Sequence, residues 1–231
     1  MPRNPARPAL LLAALALAGC GENAAENVPK AAVAPARPAE SESPRPSLVA
    51  DAKAKPDGAV VAATPGLLAI DTAASKLEFV GSKKVGGSHN GGFKAFTGLF
   101  QLADGKPELK GLDVEIDTNS IYSDDEKLTG HLKAKDFFEV AAFPYAKFVT
   151  TEITPGGEKG ATHTIVGNLT LHGVVKSIKI PAVVKVEGDS ASIKSEFALN
   201  KNDFGMTYAG PGGVIREDVV VKLDIKAVKK G

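Results

Sequence analysis

The stretch EDVVVKLDIKAV, residues 217–228, places Val219, Val221, Leu223 and Ile225 on one side of an extended chain and Lys222, Asp224 and Lys226 on the other. A period of two with one wet face is the pattern of a strand in an antiparallel sheet. Two more segments repeat it. LKGLDVEID (109–117) sets Leu112, Val114 and Ile116 against Asp113, Glu115 and Asp117, and ASIKSEFAL (191–199) sets Ile193, Phe197 and Leu199 against Lys194 and Glu196. Further strand patterns lie near 76–84, 93–103, 145–154, 161–171 and 174–186. Short turn segments separate them, among them Ala103-Asp104-Gly105, Pro155-Gly156-Gly157 and Glu187-Gly188-Asp189. Eight strands without crossover helices predict an all-β antiparallel domain, either a sandwich or a closed barrel.

One short helix interrupts the strands. Ser123-Asp124-Asp125-Glu126 has the form of a capping box, with Ser123 as N-cap and Glu126 three residues on. Leu128 and Leu132 share one helical face, and the pattern predicts an end near Val140, ahead of Pro144. The helix leads into GHLKAKDFFEVAAFPYAKF (130–148). This stretch holds four of the ten phenylalanines of a chain without tryptophan: Phe137, Phe138, Phe143 and Phe148. So much aromatic surface in one segment either plugs one end of the domain or lines an interior cavity. His131, one turn after Lys127, is expected to bond a nearby backbone group and hold the helix in place, and His172 to sit in a hairpin turn before Gly173.

The chain begins with Arg3 and Arg7, then an apolar run from Ala9 to Ala18, then Gly19 and Cys20. The run falls short of the roughly 20 apolar residues of a membrane-spanning helix and has the plan of a secretory signal peptide. The sole cysteine directly after Leu17-Ala18-Gly19 resembles the bacterial lipobox. The resemblance implies a signal peptide over 1–19, diacylglycerol on the Cys20 thiol and a periplasm-facing protein anchored in the cell envelope. Gly21 in place of an aspartate favours the outer membrane. Residues 20–66 then turn rich in alanine and proline, without aromatics, and are expected to form a disordered tether reaching about 40 Å. The folded domain is expected over 67–231.

Other chemistries find little support. A formal net charge of +1 offers no basic face for nucleic acid. One cysteine and four histidines set far apart (His89, His131, His163 and His172) argue against a metal site. Asp203-Phe204-Gly205 matches a kinase triplet, but the accompanying loops are missing. TYAGPGG (207–213) lacks the lysine of a phosphate-binding loop. No nucleophile–base pair or carboxylate pair stands out, so neither an enzyme nor a cofactor is expected.

Three ordered motifs resemble one family. They are Leu128-Thr129-Gly130-His131-Leu132 followed by Asp136-Phe137-Phe138-Glu139-Val140, Phe143-Pro144 and Phe148; GNLTLHGVVKSIKIPAVV (167–184); and NKNDFG (200–205). Together they are similar to the YceI-like, polyisoprenoid-binding proteins over about 67–229. The resemblance implies a lipocalin-like barrel of eight antiparallel strands around an elongated isoprenoid ligand. Burial of each five-carbon unit would contribute roughly 4 kcal/mol before ordering costs. On this reading the lipid contacts are Phe79, Phe93, Phe96, Phe100, Leu128, Leu132, Phe137, Phe138, Phe148, Ile178 and Phe197. The alternative is a structural or interaction lipoprotein whose barrel is filled by its own side chains. Two features depart from the family pattern: Lys201 stands where arginine is usual, and the glycines of GSHNGGFKAF (87–96) predict a mobile loop or bulge.

Overall fold

A computed structural model of the chain describes residues 23–37, 66–104 and 106–229. Its strands are β1 (Ala32–Pro35), β2 (Leu67–Ile70), β3 (Lys76–Ser82), β4 (Ser88–Phe93), β5 (Phe96–Leu102) and β6 (Leu109–Asp117), then β7 (Ile121–Ser123), β8 (Tyr145–Pro155), β9 (His163–Leu171), β10 (Val174–Glu187), β11 (Ser190–Asn200) and β12 (Asp218–Val228). The one α-helix among the described residues, α1, spans Glu126–Lys133. All the strand pairings are antiparallel. Eight of the strands close a ring in the order β2, β5, β6, β8, β9, β10, β11, β12 and back to β2. The fold is therefore the closed barrel rather than the sandwich, and closure leaves no long sheet edge open.

Alternation places the core. Val219, Val221, Leu223 and Ile225 of β12, and Ile193, Phe197 and Leu199 of β11, all point inward, as the period of two requires. Two bulges bend the wall. Lys110 is the extra residue between the pairs Gln101–Gly111 and Leu102–Leu109, and Thr151 the extra one between Thr150–Gly167 and Glu152–Val166. Where β6 and β8 diverge, the buried Thr150 hydroxyl substitutes for the ladder. It accepts from the Leu112 N–H at 3.1 Å and donates to the Leu112 carbonyl at 2.8 Å.

β3, β4 and β7 form a flap that extends the wall at one end. β3 lies beside the first half of β12, and α1 packs on β7. Of the glycines expected to make a mobile loop or bulge, Gly91 and Gly92 are part of strand β4, and Gly87 lies in the turn before it with φ 85°. A Cβ at Gly91 would collide with the Phe79 ring and the Tyr122 carbonyl, so the bare backbone lets the aromatic lie flat across the strand.

Three further expectations are corrected. The helix N-cap is Asp125, whose carboxylate accepts from the Leu128 N–H at 2.7 Å. Asp124 is already occupied by His89 and the Asn90 N–H, and Ser123 by Thr129 and the Asp125 carbonyl. Asp125→Ala is expected to cost about 1 kcal/mol in urea unfolding. The helix ends at Lys133 rather than near Val140. The chain then turns through hydrogen bonds from Phe137 N–H to Ala134, Phe138 N–H to Leu132 and Val140 N–H to Lys133, which bring both phenylalanines to the barrel interior.

The largest correction concerns the tether. Residues 23–37 are built into the barrel. β10 and β11 pair only from Val183–Lys194 to Glu187–Ser190. Pro181 carries no N–H, and its carbonyl takes the Ser195 hydroxyl, so the missing donor faces β11 and the ladder stops there. β1 fills the resulting seam. Its residues pair with Lys176–Lys179 of β10, while Ala31 N–H donates to the Ala198 carbonyl and Ala198 N–H to the Pro29 carbonyl, each at 2.8 Å. Ala31 is buried, and Lys30 meets Asp218 at 2.8 Å. Beyond β1, Arg37 exchanges two hydrogen bonds with Asn168 and reaches Glu152. Ala31→Asp is expected to release this strand and lower stability by about 2 kcal/mol in the same assay, because it buries a charge. Residues 1–22, Cys20 among them, and residues 38–65 of the expected tether lie outside the described residues.

Candidate ligand cavity

The barrel encloses a cavity of about 390 Å³. One end is packed shut by Leu68, Ile70, Leu102, Leu109, Val184 and Ala191, none of which borders the void. The walls come from alternate residues of the strands: Leu112, Val114 and Ile116 of β6, Ala146 and Phe148 of β8, Ile165, Leu169 and Leu171 of β9, Ile178 and Ile180 of β10, and the inward faces of β11 and β12. The other end is roofed by Leu128 and Leu132 of α1 with Phe137 and Phe138, and by Phe79 and Phe93 of the flap. Phe93 packs edge-on to Phe138, with ring centres 5.6 Å apart.

Ten of the eleven sequence candidates border this space: Phe79, Phe93, Phe100, Leu128, Leu132, Phe137, Phe138, Phe148, Ile178 and Phe197. Phe96 does not. It shares the inward phase of Phe100 but is packed within the core away from the void. The aromatic cluster of 130–148 divides. Phe137, Phe138 and Phe148 border the cavity, whereas Phe143 leaves it and packs edge-on to His172 at 4.7 Å between ring centres. Phe148 lies over Gly167, where a Cβ would collide with its ring.

Sequence reasoning missed several lining residues, notably Leu112, Val114, Ile116, Ile180, Ile193, Met206, Val221 and Leu223. For all but Met206, which lies in the loop between β11 and β12, the signal was present in their inward phase: in a small barrel every inward position is a candidate wall residue.

The roof is held by polar groups outside the cavity. His131 pairs with the Asp136 carboxylate at 2.8 Å, rather than with backbone, and sets its ring edge-on to Phe137 and Tyr208, each at 5.1 Å. His172 sits in the β9–β10 hairpin with φ 50°, ahead of Gly173, and its Nδ1 meets the Phe204 carbonyl at 3.2 Å. Lys201, 5% exposed, borders the cavity, yet its ammonium donates outward. Its acceptors are the Met206 and Tyr208 carbonyls, both at 2.8 Å, and Asn202 Oδ1 at 3.1 Å. Burial holds this ammonium below the ordinary lysine range, against the opposing pull of the Glu217 carboxylate. At the mouth stand Glu78, Ser82, Lys83, His89 and Arg216. The Asn90 N–H and the His89 ring lower the Asp124 carboxyl below its usual range.

Such a site has an apolar body, polar groups at one opening, and no cluster of three or more His, Cys, Asp or Glu suited to a metal among the described residues. It is built to enclose apolar chain.

Similar architecture occurs in solved structures. Burkholderia cenocepacia BcnA superposes with a TM-score of 0.59 at 22% identity, covering 69% of this chain and 99% of that one. A polyisoprenoid-binding domain from Saccharophagus degradans, implicated in plant cell wall breakdown, superposes with 0.56 at 18% identity, covering 71% and 99%. At these identities the likeness is one of fold. In sequence, a UPF0312 protein of Pseudomonas savastanoi pv. phaseolicola is 39% identical over 128 residues, which span 53% of this chain and 66% of that protein. A UPF0312 protein of Pseudomonas putida is 34% identical over 147 residues, 61% of this chain and 74% of the relative. The model of the YceI-like domain matches residues 68–227, from the second residue of β2 to the penultimate residue of β12, and so takes in the whole closed ring. With barrel, cavity and sequence match in agreement, the chain belongs to the YceI-like domain family.

Proposed function

We propose that this protein is a carrier that holds a long apolar lipid, of polyisoprenoid or similar type, inside its barrel. The observation that carries the reading is the enclosed cavity of about 390 Å³, apolar along its length and open at one end. That volume lies within the roughly 300–1,000 Å³ of small-molecule sites. Branched aliphatic and aromatic walls match the methyl-branched outline of an isoprenoid, and each enclosed CH₂ contributes about 0.8 kcal/mol. The Saccharophagus domain with the same fold is a polyisoprenoid-binding one, which supports the choice of ligand class. The barrel acts as a binding protein: it shields, stores or passes the lipid without altering it.

The Leu17-Ala18-Gly19-Cys20 segment supports a setting in the bacterial envelope, with diacylglycerol on Cys20 and the barrel facing the periplasm, at the outer membrane. Two or more acyl chains give a lasting anchor where one does not. The test is solvent extraction of the purified protein followed by mass spectrometry. A long-chain apolar lipid near one per barrel is expected. Repeated absence of lipid, with no uptake of added polyprenyl or quinone probes, would sink the reading.

A further inference from the structure

The cavity mouth is bounded by two loops that form one tip. The β3–β4 turn reads Ser82-Lys83-Lys84-Val85-Gly86-Gly87-Ser88, and the loop ahead of β12 reads Ala209-Gly210-Pro211-Gly212-Gly213-Val214-Ile215-Arg216. Lys83 forms a backbone bridge with Ile215. Lys84 N–H donates to the Val214 carbonyl at 2.7 Å, and Arg216 N–H to the Ser82 carbonyl at 2.9 Å. The Arg216 side chain adds a bond from Nε to the Lys83 carbonyl at 3.1 Å. These contacts hold the tip in one shape.

Its composition is one-sided. The two segments carry Lys83, Lys84 and Arg216 and not one Asp or Glu. At the same tip two large apolar side chains face solvent, Val85 at 87% exposure and Val214 at 39%. Single exposed apolar residues are ordinary on protein surfaces. Here they coincide with three cations and with the opening, for Lys83, Ile215 and Arg216 also border the cavity. The neighbouring acids are few. Asp124 is engaged by His89 and Asn90, Glu78 borders the cavity, and Glu217 follows Arg216 in the chain.

Cations draw a surface to anionic headgroups, and apolar side chains among them enter the interface between headgroup and acyl chain. We propose that the 82–88 and 209–216 loops dock the cavity mouth onto an anionic phospholipid surface, so that the lipid passes between bilayer and cavity without crossing water. This rests on the carrier reading and adds the partner surface and the direction from which cargo enters.

The test uses the full chain with Cys20→Ser, which removes both the acylation site and the only native thiol. An environment-sensitive dye is placed on Val85→Cys, or on Asp189→Cys in the β10–β11 turn at the closed end. Because the dye reports its own surroundings, attachment of the N-terminus to vesicles does not mask the answer. On vesicles of phosphatidylglycerol and phosphatidylcholine, a blue shift is expected at position 85 and none at 189. Phosphatidylcholine alone should give little shift. Lys83→Gln with Lys84→Gln, which leaves the Arg216 bonds in place, should raise the lipid needed for half the shift by at least about tenfold. Equal shifts at both positions would overturn the proposal, and so would equal shifts on neutral and anionic vesicles. No shift on any vesicle would overturn it in favour of a protein partner. Uptake of a polyprenyl probe from detergent micelles, read on the same proteins, separates the two readings: uptake without rim contact sinks the docking surface alone, and rim contact without uptake sinks the carrier.

Discussion

Ala146→Trp is expected to leave the barrel folded and empty of lipid. Ala146 is buried on β8, faces inward opposite Ile116, and borders the cavity. An indole there projects into open volume rather than into packed side chains. Lipid recovered by extraction should fall at least about tenfold, because the void is lost where the ligand's surface would be buried. The melting temperature should hold or rise, since filling an existing void adds contacts. The rival reading, a barrel filled by its own side chains, predicts the opposite: overpacking there costs about 1–3 kcal/mol and leaves bound lipid unchanged. Ile178→Trp, two strands round the barrel on β10, gives an independent check with the same expectation.

Lys201→Met should give the second large effect, on stability. The ammonium gathers the Met206 and Tyr208 carbonyls and so ties down the loop that carries Met206 into the cavity and Tyr208 against Phe137 and His131. Methionine fills similar space but donates nothing, and the stranded carbonyls cost about 2 kcal/mol in urea unfolding. The pH dependence should change with it. Burial lowers the folded-state pKa of Lys201 below the ordinary value of 10.5, so between the two values the unfolded chain binds more protons. Stability from this group therefore rises as pH increases through the folded pKa toward 10.5. In Lys201→Met that increment should vanish. An unchanged alkaline slope would mean that the ammonium is not held in this setting.

Much of the barrel was legible because alternation is a local property. Each inward residue of β6, β11 and β12 could be named from its own segment, and closure followed once the family motifs ordered the strands. Eight of the eleven lining candidates are phenylalanines, and all eleven but Phe96 border the void. Phe96 departs because phase tells which face a residue takes, not whether the space beyond it is filled. β1 was not legible. Its four residues, Ala32–Pro35, carry no strong strand pattern, and their partner is a seam created by Pro181 at a distance of about 150 residues. Composition read the stretch as unable to fold alone, which is a different matter from having a place to dock. The N-cap moved from Ser123 to Asp125 because Ser123 is still in strand β7, paired with Gly91 of β4, and its hydroxyl bonds Thr129 and the Asp125 carbonyl, while Asp124 is taken by His89 and Asn90 of β4.

Electron density for the protein purified with its natural occupant tests the carrier claim most directly. The expected map has one continuous elongated feature, running from the mouth at Lys83 and Arg216 past Phe137 and Phe138 to Phe148 and Phe197, with no protein side chain in the void. A cavity closed by inward rotation of those phenylalanines, or holding only ordered water, would contradict it.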